Sequence, residues 1–299
     1  MKCESGVFVV DKPAGLTSQQ VVARLKRALG VRKAGHAGTL DPAATGVLVV
    51  GVNRATRLLG YIAGTQKQYQ ATIRLGQATT TDDAEGEALG EPCDATGLTD
   101  EAIAAAIAGL TGEIEQVPSA VSAIKVAGRR AYALVRAGET PELTPRRVQV
   151  SRFSVEKRQN DAPFVDLAVV VDCSSGTYIR ALARDLGARL GSGGHLTQLR
   201  RTRVGRFGID MAVPLDEIGW DDMEDLATVA QLAFPVFEVD ATAVAKIAHG
   251  QPLPVVVPED PTALLSPPTE PGHPGELLAL YRPAGDHSVP VAVLIGGET

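Results

Sequence analysis

The sequence predicts an α+β protein on a mostly antiparallel mixed sheet, with a small β-rich domain at its C-terminus. Three observations carry this. Strand-like and helix-like segments are mixed without the regular βα alternation of a doubly wound fold. The 299 residues, 44% of them hydrophobic, suffice for one large packed domain and a small one. After Phe234 the composition shifts: eight prolines lie between Gln251 and Pro274, flanked by the short apolar runs PVVV, ELLALYR and VPVAVLI. The expected domains are 1–234 and 235–299.

GVFVVDKP reads as a short buried strand ended by Pro13. Thr17 or Ser18 caps the helix SQQVVARLKRAL, which Gly30 stops. GVLVVGV (46–52) is a second apolar strand, and Asn53 caps a short helix toward Leu59. KQYQATIRLG (67–76) alternates as a half-buried strand does. TTTDDAEGEALGEPCDATG is polar, acidic and Gly-containing, the composition of a surface loop. Thr99 starts a helix with Asp100 and Glu101 in its first turn, where acids oppose the helix dipole. FVDLAVVV (164–171) is a strand, Thr177 to Leu190 a helix, and 195–209 strand and turn. The Pro-rich stretch is a loop or linker.

Charge is uneven. The total is −6, yet 121–210 holds 16 Lys/Arg against 8 Asp/Glu, and 211–299 holds 2 against 14. Phosphate binding depends on charge within a Debye length of ~10 Å, so the basic middle is the candidate RNA surface. A solvated charged face is the alternative. No apolar run approaches the roughly 20 residues of a membrane-spanning helix, and MKCESGVFVVDKP lacks a signal-peptide layout. Cys3, Cys93 and Cys173 form no CxxC pair, so no disulfide framework or zinc site is expected. A cytoplasmic protein follows.

GHAGTLDPAATGVLVV (35–50) is the strongest chemical signal. Gly35, Gly38 and Gly46 permit close approach or unusual backbone angles. Pro42 pushes Asp41 out of helical geometry, onto a shaped turn before a buried strand. A carboxylate there can act as nucleophile or base, although a bare Asp-Pro more commonly shapes a turn. His36 is a turn residue or an RNA contact.

The full run resembles the active-site motif of bacterial tRNA pseudouridine-55 synthases, the TruB family. Gly35, His36, Gly38, Leu40, Asp41, Pro42, Ala44 and Gly46 fill all eight fixed positions of that pattern. Thr39 stands where the related large-subunit rRNA synthases have Arg. DKPAGLTS (11–18), including Lys12, is similar to the family's N-terminal motif beside the active site. KQYQATIRLG resembles the strand supplying the active-site tyrosine, here Tyr69. CSSGTYIRALARDLG (173–187) resembles the motif supplying Tyr178 and Arg180, and HLTQLRRTRVGRF the strand supplying Leu199. The matches run in family order over roughly residues 6–210 and imply a pseudouridine-synthase catalytic domain followed by a PUA-like domain.

The resemblance implies that a uridine of the tRNA T-arm is flipped out and isomerised without cofactor or metal. Tyr69 stacks on the base and Leu199 walls it. Asp41 is the essential carboxylate, attacking or deprotonating the sugar or adding to the base. Arg180 pairs with Asp41 and orients it, Tyr178 assists proton removal at C5, and His36 contacts RNA. Lys12 is also expected near the substrate. The segment 117–150 resembles the family's RNA-gripping insertion, with Lys125, Arg129, Arg130, Arg146 and Arg147 as phosphate contacts. Val121 stands where the family often has Tyr. Arg200, Arg201, Arg203 and Arg206 form a second phosphate track or a solvated strand edge. A monomer is expected. The competing readings are an RNA-binding protein that keeps the scaffold and a guide-RNA-dependent synthase. The complete set Asp41, Tyr69, Tyr178 and Arg180 favours an enzyme, and the insertion favours stand-alone recognition, because guided relatives lack it.

Overall fold

The computed structural model describes residues 4–120, 125–126, 129–130, 143–268 and 274–295. Its main strands are β1 (Gly6–Lys12), β2 (Ala34–His36), β3 (Thr45–Val52), β4 (Lys67–Leu75), β5 (Gly112–Gln116), β6 (Arg146–Asp161), β7 (Phe164–Cys173), β8 (Gly194–Val204), β9 (Val236–Glu238), β10 (Thr262–Leu265), β11 (Leu277–Ala284) and β12 (His287–Val293). The helices are α1 (Ser18–Leu29), α2 (Leu59–Gly64), α3 (Asp100–Ala108), α4 (Ile179–Arg189), α5 (Leu226–Ala233) and α6 (Ala241–Ala248). Strands and helices mix as the sequence predicts, in an α+β fold. The chain divides into two compact units: Met1–Pro42 with Gly46–Ala63 and Val204–Thr299, and Ala43–Thr45 with Gly64–Arg203.

In the first unit β1 lies antiparallel to β3, from Gly6 opposite Val52 to Lys12 opposite Gly46. Both strands are apolar at nearly every position because both faces are covered. Val7, Val9, Val47 and Val49 enter one core with Leu58, Ile62 and Phe207. Phe8, Val10, Leu48 and Val50 enter another with Val21, Val22 and Leu25 of α1. Thr17 and Gln20 close a capping box at the start of α1, and Gly30 ends it at φ 68°.

The four-stranded sheet β9–β10–β11–β12 is the β-rich C-terminal part. Its alternation is also two-sided. Leu264 and Tyr281 pack with Ile247 of α6, whereas Ala263, Leu265, Leu277 and Leu280 join the core of Val7 and Val49. Arg54 and Arg57 add hydrogen bonds to the carbonyls of Leu294 and Val293. Two details differ from the sequence expectation. The Pro-rich stretch contains the buried strand β10. PVVV is not a strand: Pro254 and Pro258 bring no N–H to a ladder, Val255 and Val256 are exposed, and the Val257 N–H donates to Ser288 Oγ.

In the second unit the sheet order is β8–β4–β7–β6–β5, with β4, β7, β6 and β5 successively antiparallel. Ile179, Leu182, Ala183 and Leu186 bury one face of α4, which packs near β4 and α3.

Leu280 is fully buried, and its truncation to Ala is expected to cost ~2–5 kcal/mol. Exposed Val291→Ala should stay within about 0.5 kcal/mol. Urea denaturation of both variants checks the contrast.

Candidate active site

Asp41 sits in the turn between β2 and β3 of the first unit. Gly38 and Gly46 flank it at φ 100° and 98°, angles that side chains disfavour. The turn is held on both sides of Asp41. Ser18 Oγ accepts from the Leu40 N–H at 2.8 Å and donates to the Leu40 carbonyl at 3.1 Å. On the other side, the Pro42 carbonyl accepts from the Gly15 N–H at 2.9 Å and from Lys12 Nζ at 3.0 Å. Lys12 Nζ also donates to Pro13 at 2.9 Å and Leu16 at 2.6 Å. Its side chain is wholly buried, so its ammonium holds the turn and presents no charge to solvent. DKPAGLTS is therefore the clamp on the Asp41 turn. Asp41 itself is half-buried, as is His36, which pairs with Val50 across β2 and β3.

In the second unit Tyr69 lies on the buried face of β4, opposite Val171 of β7. Lys67, two residues earlier, shares that face and pairs with Cys173. Its Nζ donates to the Thr65 carbonyl at 2.6 Å. Burial, reinforced by the nearby Arg201 guanidinium, brings the Lys67 ammonium down to about 8. Burial likewise pushes the Cys173 thiol up to about 11.

Tyr178 occupies the N-cap of α4, and Arg180 lies in its first turn, nearly buried. The Arg180 guanidinium donates to the Thr81 carbonyl at 2.9 Å and pairs with Asp83 at 3.3 Å. Arg184, one turn on, pairs with Asp82 at 3.2 Å. Burial raises the Asp82 carboxyl, against the pull of Arg184 and Arg180. The acidic stretch expected as a surface loop thus turns Asp82 and Asp83 inward onto α4. Asp83 is a partner of Arg180 that the sequence reading missed. Its partner is 97 positions away, and no local pattern announces the pair.

Leu199 lines a cavity of about 530 Å³ with Gln70, Thr72, Thr197 and Arg200. Strand alternation puts Gln70 and Thr72 on the opposite face of β4 from Tyr69. Among the other arginines, Arg201 is buried, which removes it from any surface phosphate track. Arg203 pairs with Asp172 at 2.7 Å, and Arg200 donates to Thr45 Oγ1 at 3.3 Å. Arg146 and Arg147 open β6, exposed, opposite Gln116 and Glu115 of β5. Lys125 and Arg130 face each other in a short antiparallel pair, as do Val126 and Arg129, but these side chains and Val121 lie outside the described residues.

Residues 26–179 match the family model described as TruB family pseudouridylate synthase (N terminal domain). The chain belongs to the TruB family. Residues 180–230 match the tRNA pseudouridylate synthase B C-terminal domain. Curated TruB relatives include tRNA pseudouridine synthase B of Rhodococcus jostii (strain RHA1), 60% identical over 83% of this chain and 82% of the relative. The Cutibacterium acnes protein of the same name is 55% identical over 94% of each chain. Among solved structures, a Cbf5-Nop10-Gar1 complex contains a chain that superposes with TM-score 0.72 at 26% identity, over 97% of this chain and 85% of that one. The pseudouridine-synthase fold expected from the sequence is therefore the fold of this TruB chain.

The buried Lys67 gives a signed expectation. Its folded value lies below the ordinary 10.5, so its charged form destabilises the fold. That cost is full below pH 8 and is relieved as pH rises toward 10.5. Stability of the unchanged chain relative to Lys67→Met should therefore rise across that window. A flat difference in chemical denaturation would contradict it.

Proposed function

We propose that this protein isomerises the T-arm uridine at position 55 of tRNA to pseudouridine, acting alone as a cytoplasmic monomer without a cofactor. The observation that carries the reading is the complete GHxGxLDPxAxG run, with its Asp41 turn clamped by Lys12, Gly15 and Ser18, in a TruB chain. The names of the relatives at 55–60% identity support tRNA as substrate.

The target base is flipped from its stack, at a cost of a few kcal/mol. Tyr69 stacks on it, a contact worth ~1–3 kcal/mol. Asp41 is the essential carboxylate that starts cleavage of the N1–C1′ bond, and Arg180 orients it. The freed base rotates, C5 joins C1′, and Tyr178 assists removal of the C5 proton. Atoms balance within the substrate, because the proton leaving C5 is offset by one gained at N1. His36 contacts the RNA, and Lys12 acts by holding the turn. Lys125, Arg129, Arg130, Arg146 and Arg147 contact phosphates. Residues 1–234 form the catalytic domain, with 117–150 as the RNA-gripping insertion. Residues 235–299 form the PUA-like domain, a reading supported by its separate four-stranded sheet. Its acidic surface repels phosphate, so its part is mainly structural. Among the described residues no helix is long and apolar enough to cross a membrane.

The test uses tRNA tritiated at uridine C5 together with carbodiimide mapping of the product. The purified protein alone should release tritium and leave one modified position, the T-arm uridine at 55. Release only with an added guide RNA, or a modified base elsewhere, would refute the reading. A second expectation concerns affinity. Replacing Arg146 and Arg147 with Ala should weaken tRNA binding and reduce the slope of log K against log salt by about 1–2. An unchanged slope would remove these residues from the interface.

A further inference from the structure

Tyr178 carries no side-chain cap at the start of α4, yet its peptide groups are gripped from another strand. Gln116, the last residue of β5, is 1% exposed. Its Oε1 accepts from the Tyr178 N–H at 2.8 Å, and its Nε2 donates to the Tyr178 carbonyl at 3.0 Å. Only one orientation of the amide satisfies both bonds, since N–H requires the oxygen and C=O the nitrogen. The same carbonyl accepts the first bond of α4, from Leu182 N–H at 3.2 Å. The Gln116 side chain thus imitates a neighbouring strand and fixes the Tyr178 residue at two points. One bond would leave the residue free to pivot, whereas two set both its position and its rotation. The main chain beyond is tied as well, because the Val117 carbonyl accepts from Arg184 Nη2 at 2.8 Å.

We propose that Gln116 is a positioning residue for the pseudouridine reaction, holding the Tyr178 backbone so that the phenol meets C5 of the rotated base. The proposal rests on the role given to Tyr178 under Proposed function. Gln116 is itself buried and does not touch RNA. Its loss acts on chemistry and leaves tRNA affinity alone. Displacement of a reacting group by about 1 Å costs up to roughly a hundredfold in rate.

The experiment compares the full-length unchanged enzyme with Gln116→Met, Gln116→Glu and Tyr178→Phe. Each is given tRNA whose uridine 55 carries protium or deuterium at C5. Single-turnover rate, tRNA Kd and the deuterium effect on the rate are measured. Gln116→Met should lower the rate roughly tenfold or more with Kd within about twofold. Its deuterium effect should rise, as in Tyr178→Phe, because C5 deprotonation becomes the slower step. Gln116→Glu keeps the acceptor for the Tyr178 N–H but sets a carboxylate oxygen against the Tyr178 carbonyl, so it too should slow the reaction and raise the deuterium effect. It also serves as the test variant if Gln116→Met does not fold. A loss of active fraction with an unchanged deuterium effect would mark Gln116 as merely structural and overturn the proposal. So would unchanged kinetics in the Gln116 variants beside a defective Tyr178→Phe. If Tyr178→Phe shows neither a slower rate nor a larger deuterium effect, the role of Tyr178 fails, and the proposal falls with it.

Discussion

A buried ammonium beneath the Asp41 turn is the constraint on which the rest of the site depends. An isolated charge out of water is costly, and it persists only when its donors are satisfied. Lys12 meets that condition with three carbonyls, from Pro13, Leu16 and Pro42. Hydrogen bonds to a charged group contribute ~1.5–3 kcal/mol each, so the loop after β1 and the turn after Asp41 are joined strongly at one point. Ser18 does the same for Leu40, on the other side of Asp41. The helix that presents Ser18 is fixed by its own capping box, and its inner face packs on β1 and β3. The carboxylate proposed to react, on its glycine-flanked turn, is in this way given the rigidity of the core that holds the turn.

The second unit repeats the device with a carboxylate among the acceptors. There a nearly buried guanidinium, Arg180, is held at the start of α4 by Thr81 and Asp83. The carboxylate neutralises the arginine where water cannot, and Arg184 with Asp82 repeats the contact one turn further along. Gln116 then fixes the residue that opens the helix. Each side chain proposed to touch the base stands on regular structure or on a turn bonded to it, the arrangement that accurate placement requires.

Local signals in the sequence reveal much of this fold. Thr17, Gln20 and Gly30 announce α1, and Thr99 announces α3, because capping chemistry acts within one turn. The apolar runs of β1 and β3 and the alternation of β4 are equally plain. Asp225 and Asp240 cap α5 and α6, but each helix has only eight residues, too few to establish a period. β10 is hidden because prolines dominate its surroundings, although its own four residues are all buried. At the candidate site, the motif run singles out Asp41, but residue type misleads for Lys12 and Arg201, since charged side chains are rarely interior. Asp83 and Gln116 are invisible for another reason. Their partners are 97 and 62 positions away, and only the folded topology brings them together.

The most direct measurement of the account is the conversion of Asp41 to Asn, which keeps the size and polarity of the side chain and removes its charge and nucleophilicity. Tritium release from C5-labelled tRNA should fall to background under single-turnover conditions, while tRNA Kd stays within about threefold of the unchanged protein. Retained release by Asp41→Asn would contradict the account, because the turn that Lys12 and Ser18 hold would then be a scaffold without a reacting group.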